Sequence, residues 1–340
     1  MRSMQSFISG IPKAELHVHV EGTIEPDMLL LLAKRNNASF AYKNVEDIKR
    51  GIATIVDLPT FLRFYKSVLS VLLTEQDFYD VTYTFLEKSR SQNVLYVELM
   101  FDPQAHLDRG LDLEAVINGM RHAQHDAENK LGTRSKLIMC MWRERSEQEA
   151  MKLLNQAIRF SDDIVGIGLD NIEEDNFPLK FVEIFAKARD EGFEVTSHCD
   201  SDQPKSVTHI RQCIEKLGVR RIDHGTNVLD DQALVDMVIE RDICLTVCPT
   251  QTYAFDEPRR TKAVRTMLDL GINVTVNSDD PGIDCSRYMN EIIGGVHETV
   301  GLTRSDVVQL MKNAFRSAWL AGPEREYYLQ LLDDHAKQVV

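Results

Sequence analysis

An α/β fold of the closed (β/α)8 TIM-barrel type is what this 340-residue sequence predicts. Three observations point to it. Short apolar runs recur along the whole chain, a longer amphipathic stretch follows each, and polar residues gather at the carboxyl ends of the runs. The runs are Ala14–His19, Val94–Phe101, Lys136–Trp142, Ile164–Leu169, Phe193–His198, Arg221–Gly225, Ile243–Pro249 and Ile272–Asp280. Continuous runs rich in β-branched residues, rather than strict alternation, suit parallel strands buried on both faces. Eight strand–helix alternations favour a closed barrel over an open sheet.

The connecting stretches read as helices. Residues 24–90 hold extra helical material between the first and second strands, and Phe61, Leu62, Phe64 and Tyr65 lie where a segment can cover the barrel mouth. Leu234–Ile239 has a helical pattern that starts after Asp230 and Asp231, and the tail after Gly301 also reads as helical. Barrels often exceed 250 residues as one unit, so a single domain over 1–340 is expected rather than two.

A net charge of −14 and a pI near 5.2 give a surface that repels phosphate, so neither nucleic acid nor an anionic membrane is an expected partner. No apolar run reaches the ~18 residues of a membrane span. Met1–Lys13 lacks the pattern of a secretory signal. The six cysteines, Cys140, Cys199, Cys213, Cys244, Cys248 and Cys285, form no Cys-x-x-Cys motif. They read as small buried hydrophobes in a reducing, cytoplasmic protein.

Chemistry enters at the strand ends. His17 and His19 end the first run, His198 the fifth, His224 the sixth, and Asp279 with Asp280 the eighth. Barrels of this type build their sites at the carboxyl ends of the strands. Strand residues two apart point the same way, so both imidazoles of His17-Val18-His19 face inward. With His198 and Asp279 they make a three-nitrogen, one-oxygen set suited to one zinc ion, leaving a position for water. Alone, His224 reads as a satisfied core histidine; beside a metal it orients or deprotonates the bound water. Asp280 either receives a proton or bonds the substrate, or it is a turn carboxylate before Pro281.

These residues sit in motifs that resemble the adenosine/adenine deaminase family. Pro12-Lys13-Ala14-Glu15-Leu16-His17-Val18-His19-Val20-Glu21-Gly22-Thr23 looks like its opening motif, and Ser278-Asp279-Asp280-Pro281 like its closing one. Arg221-Ile222-Asp223-His224-Gly225, Thr246-Val247-Cys248-Pro249 and Phe101-Asp102-Pro103-Gln104 also match, in the expected order across nearly the whole chain. The resemblance is closest to the microbial adenine deaminase branch, because Glu21 rather than Asp follows the His pair. It implies one zinc on His17, His19, His198 and Asp279, with His224 positioning the attacking hydroxide. It further implies that Asp280 bonds the heterocycle and that Glu21 contacts the region of a nucleoside's ribose. Phe61 is a further candidate at the substrate. The implied reaction is hydrolytic deamination of an amino-heterocycle, an adenine-like or N6-substituted aminopurine, as base or nucleoside.

The sequence departs from the family at its fifth-strand motif, His-Ala-Gly-Glu, whose Glu is the general acid. Here it reads His198-Cys199-Asp200-Ser201-Asp202-Gln203, with Ser201 at the Glu position. A serine hydroxyl does not replace a carboxylic acid as proton donor. Three readings account for this. Asp200 or Asp202 takes the acid role; the substrate is another amino-heterocycle or a cyclic amide; or the chain is a non-catalytic, metal-binding ligand sensor. Leu169-Asp170-Asn171-Ile172-Glu173 after the fourth strand and Cys248-Pro249-Thr250-Gln251-Thr252 after the seventh also differ, and both loops are expected to line the pocket and bear on substrate identity.

Overall fold

The computed structural model describes residues 3–199, 203–249, 257–284 and 286–338. Helix α1 (Met4–Gly10) precedes β1 (Lys13–His19). The strands β2 (Val94–Phe101), β3 (Arg134–Trp142), β4 (Ile164–Asp170), β5 (Glu194–Cys199), β6 (Arg221–His224), β7 (Cys244–Val247) and β8 (Val274–Val276) follow in chain order around a barrel. Each pairs in parallel with the next. β1 meets the segment after β8 through a parallel bridge between Val18 and Asp279. The expected (β/α)8 barrel is present, with strands that match the eight apolar runs.

Burial explains why those runs lack alternation. Every residue of β1 is buried, and so is every residue of β2 except half-buried Leu95. One side of each strand fills the barrel and the other packs under the helical layer. The eighth run is the exception. Its strand stops at Val276, and the next four residues leave the regular ladder to form the closing turn.

Helices α2 (Pro26–Arg35), α3 (Val45–Ile52), α4 (Leu58–Leu69) and α5 (Glu75–Ser91) fill the interval between β1 and β2, as expected. Asp57 starts α4 by accepting a bond from the Thr60 amide, in a capping box. The helix buries Leu62, Phe64 and Tyr65. The tail is helical too, over Arg304–Ser317 and Gly322–Gln338. Among the described residues no helix is long and apolar enough to cross a membrane. Cys140, Cys199, Cys213, Cys244 and Cys248 are buried and unbridged, and Cys285 lies outside the described residues.

At the amino-terminal end of the barrel a buried ion pair is closed off by an indole. Arg221 Nη1 donates to Glu98 Oε2 at 2.5 Å, and its guanidinium lies 3.7 Å from the centre of the Trp319 ring. The Trp319 amide donates to Glu98 Oε1 at 2.6 Å. The pairing matters because either charge alone would be costly to bury. Trp319 fits only because residue 166 on β4 has no side chain: a Cβ there would lie 2.2 Å from Trp319 Cζ3. Gly166→Ala is therefore expected to destabilise the fold by about 1–3 kcal/mol, as overpacking does. Chemical denaturation checks this; an unchanged midpoint would mean that the indole is not seated as described.

Candidate active site

Four strand ends bring four side chains to one point. His17 and His19 share the inner side of β1, His198 ends β5, and Asp279 follows β8. His17 Nε2 lies 3.0 Å from His198 Nε2, and His19 Nε2 lies 3.1 Å from the same atom. Asp279 Oδ1 is 3.3 Å from His17 Nε2 and 3.7 Å from His19 Nε2. A tetrahedral zinc with bonds of about 2.0–2.1 Å has donor–donor edges of about 3.3–3.4 Å, so the spacing fits.

The tautomers fit as well. Thr246 Oγ1 already donates to Asp223 Oδ1 at 2.8 Å. It and the Thr246 carbonyl therefore act as acceptors for His17 Nδ1, at 3.1 and 3.2 Å. His198 Nδ1 donates to the Leu169 carbonyl at 3.0 Å. With both Nδ1 atoms protonated, both Nε2 atoms carry lone pairs. Against burial, the Asp279 and Asp223 carboxylates raise His17, so either a proton on His17 Nε2 or a metal cation stands between the facing nitrogens, whose spacing suits the metal. Burial, and then the neighbouring imidazoles, hold His198 well below the usual histidine range, so it is neutral and able to ligate. Cys248 is also within ligand reach of His17, His224 and Asp279. Burial pushes its thiol well above the usual range, so it is a poor competitor as a thiolate ligand.

His224 stands on the outer side of Asp279, with Nε2 3.7 Å from Oδ2. Burial and then the nearby Arg260 guanidinium hold this imidazole well below its usual range, which suits a proton acceptor. His224 and Asp279 both have left-handed backbone, with φ of +62° and +63°. Such residues are uncommon and cluster at functional sites.

Above these groups lies a pocket of about 660 Å³, counting the part open to solvent. Leu58, Phe61, Leu62 and Tyr65 of α4 form one wall of it. Asp280 lines the pocket, and burial and then the Asp279 carboxylate push it well above the usual range. Asp102, Asp170 and Asn171, at the ends of β2 and β4, complete the polar wall, and Arg260 supplies a guanidinium. Burial and then the Asp102 carboxylate raise Asp170 well above its usual range, and burial raises Asp102 as well. Asp170 and Asn171 belong to the loop after the fourth strand that is expected to line the pocket, whereas motif reading gives no site role to Asp102 or Arg260. The strand-end rule covers Asp102 and Asp170, but nothing local marks a carboxyl pair that meets across the barrel.

Glu21 lies one layer deeper than the resemblance implies. It is fully buried, accepts from His106 Nε2 at 2.8 Å and from the Asp102 amide at 3.1 Å, and does not line the pocket. Asp200, Ser201, Asp202 and Thr250-Gln251-Thr252 lie outside the described residues.

The family profile described as "Adenosine deaminase" matches residues 12–335. The chain belongs to the adenosine deaminase family. An uncharacterised deaminase of Schizosaccharomyces pombe is 42% identical over 336 residues, 99% of each chain. An adenine deaminase of Psychrobacter cryohalolentis is 38% identical over 97% of this chain and 99% of its own. The crystal structure of an adenine deaminase from Arthrobacter aurescens superposes with a TM-score of 0.91 at 32% identity, covering 96% of this chain and 100% of that one. The chain is thus a deaminase-type hydrolase acting on C–N bonds, from a metal-dependent family, with the motif resemblance upheld.

Asp280 keeps its place because residue 22 has no side chain: a Cβ on Gly22 would lie 1.8 Å from Asp280 Oδ1. Gly22→Ala should therefore displace the carboxyl and lower kcat/KM on the order of 100-fold, as misplacement by an ångström does, with metal content retained. Steady-state kinetics beside metal analysis checks this; undiminished kcat/KM would remove Asp280 from the chemistry.

Proposed function

We propose that the protein is a zinc-dependent hydrolytic deaminase of an aminopurine, replacing an exocyclic amino or alkylamino group by oxygen and releasing ammonia or an amine. The convergence of His17, His19, His198 and Asp279, with ring nitrogens and a carboxylate oxygen at the spacing of zinc ligands, carries this reading. Zinc held by them would lower the pKa of water towards ~7 and so supply hydroxide at neutral pH. His224, neutral and beside Asp279, orients the attacking water and takes its proton. Asp280 bonds a ring nitrogen and so fixes the heterocycle with its amino-bearing carbon facing His224. The α4 wall of Leu58, Phe61, Leu62 and Tyr65 shields the reacting carbon from bulk water.

The ring nitrogen must also gain a proton as water adds, and Ser201 stands where the family's acid would be. Asp200 or Asp202 supplies it under this proposal. The same substitution favours a second reading, in which the substrate is a different amino-heterocycle or a cyclic amide, or the protein senses a ligand without turnover.

Ammonia or amine release by zinc-loaded protein is measured against adenine, adenosine, N6-alkylated purines and amino-pyrimidines. Release from the purines is expected, and it should vanish together with bound zinc in His17→Ala and Asp279→Ala. Full activity in either variant sinks the metal assignment. Silence across the panel with zinc bound, or release from pyrimidines alone, turns the function to the second reading. Asp200→Asn and Asp202→Asn locate the acid. One of them should slow turnover by about 10²- to 10⁴-fold, the usual acid–base contribution; less than about ten-fold in both excludes the loop aspartates.

A further inference from the structure

Behind the pocket wall formed by Asp170 and Asn171 lies a buried cation. Arg143 comes directly after β3, is fully buried and does not line the pocket. Its amide donates to the Asp170 carbonyl at 3.1 Å, and its Nη2 donates to the Asn171 carbonyl. Its Nη1 donates to the His198 carbonyl on β5 at 2.6 Å. One residue thus bonds to two wall residues at the end of β4 and to a candidate metal ligand on the next strand. Asn171 has left-handed backbone, with φ of +71°. Such a conformation in a residue with a side chain persists only where the surroundings hold it. The bond from Arg143 to the Asn171 carbonyl is such a hold.

The cation is itself held. Glu173 Oε1 lies 3.4 Å from Arg143 Nη1, in an ion pair with both side chains fully buried. Glu173 Oε2 accepts from His209 Nδ1 at 2.7 Å, and the Phe177 ring centre lies 4.9 Å from the guanidinium. Lys180 Nζ donates to the Arg143 carbonyl at 2.5 Å. Neither charge is readily buried without the other, so Arg143 and Glu173 act as a unit. A guanidinium suits the task because its planar fork presents N–H groups at fixed angles, which an ammonium does not. The His198 imidazole is fixed separately, by its bond to the Leu169 carbonyl. The clamp therefore bears on where the wall stands relative to β5, not on the tautomer of His198.

We infer that Arg143, backed by Glu173, is a positioning residue. It fixes the pocket wall of Asp170 and Asn171 against the His198 end of β5, and so sets where the heterocycle lies relative to the attacking water. The catalytic consequence of this clamp rests on the deaminase reading above.

Crystal structures of the zinc-loaded protein and of Arg143→Lys test it, together with kcat per bound zinc for adenine. In Arg143→Lys, Asn171 should leave its left-handed conformation and the wall should shift against His198, with zinc content retained. Turnover should fall on the order of 100-fold, as misplacement by an ångström does. Glu173→Gln, which keeps Arg143, should act in the same direction. The double variant should lose little more than Arg143→Lys, because the pair acts as a unit. A merely structural role would lower the denaturation midpoint and leave kcat per bound zinc unchanged, which overturns the inference. Loss of zinc overturns it too, since Arg143 would then be acting on the ligand set, and so does an unmoved Asn171. Where Arg143→Lys does not fold, Glu173→Gln decides by the same measures. A displaced wall, with no turnover of any purine by the unaltered protein, upholds the clamp and instead sinks the deaminase reading.

Discussion

The seam at which the barrel closes is the constraint on which the site depends. Between β1 and the segment after β8, backbone pairing is carried by two bonds around one residue. The His19 amide donates to the Asp279 carbonyl at 2.9 Å, and the Asp279 amide to the His17 carbonyl at 3.2 Å. Below them side chains take over. Asn277 Oδ1 accepts from the Leu16 amide at 2.9 Å, and Glu15 Oε1 accepts from the Ser278 amide at 2.9 Å. The bonds that close the sheet are thus the bonds that hold three of the four candidate metal ligands at one height. A slip of one residue here would turn His17 and His19 out of the barrel.

The seam also explains the local strain. Asp279 serves both of its backbone bonds to β1 in a left-handed conformation, which costs about 1–2 kcal/mol for an L-residue but is best tolerated by Asp and Asn. His224 adopts the same conformation before Gly225, whose amide is tied to the Cys199 carbonyl at 3.0 Å. Both residues leave their strands in a way that lets the side chains meet at 3.7 Å.

Electrostatically, the site is an acid-rich interior balanced in layers. Asp223 lies beneath the imidazoles, accepting from Thr196 Oγ1 at 2.7 Å and Thr246 Oγ1 at 2.8 Å. Thr246 is thereby turned to accept from His17. Lower still, Arg221 neutralises Glu98. The upper layer of Asp102, Asp170, Asp279 and Asp280 is flanked by Arg260 in the pocket and by the buried Arg143 beside Asp170. Burial and mutual repulsion raise Asp170 and Asp280 well above the usual range, which lessens the charge crowded there, and Asp279 faces the metal position.

Much of this is legible in the residue order. Strands buried on both faces announce themselves as unbroken apolar runs, and a polar residue at the carboxyl end of such a run is conspicuous. His17, His19, His198, His224, Asp279 and Asp280 therefore stand out from the sequence by itself, since the period of a strand and the topology of a closed barrel suffice to make them converge. What the tertiary structure alone decided depends on packing between segments far apart in sequence. The early end of β8 follows from its seam with β1, which no local pattern encodes. The sealing of Glu21 behind Asp102 requires His106, which lies 85 positions away. The mutual effect of Asp102 and Asp170 on each other's pKa arises because the ends of β2 and β4 bring both carboxyls to one buried site. Local periodicity sets which residues face inward, but the distance between two inward groups, and so their charge and their role, is set by the closure of the barrel around them.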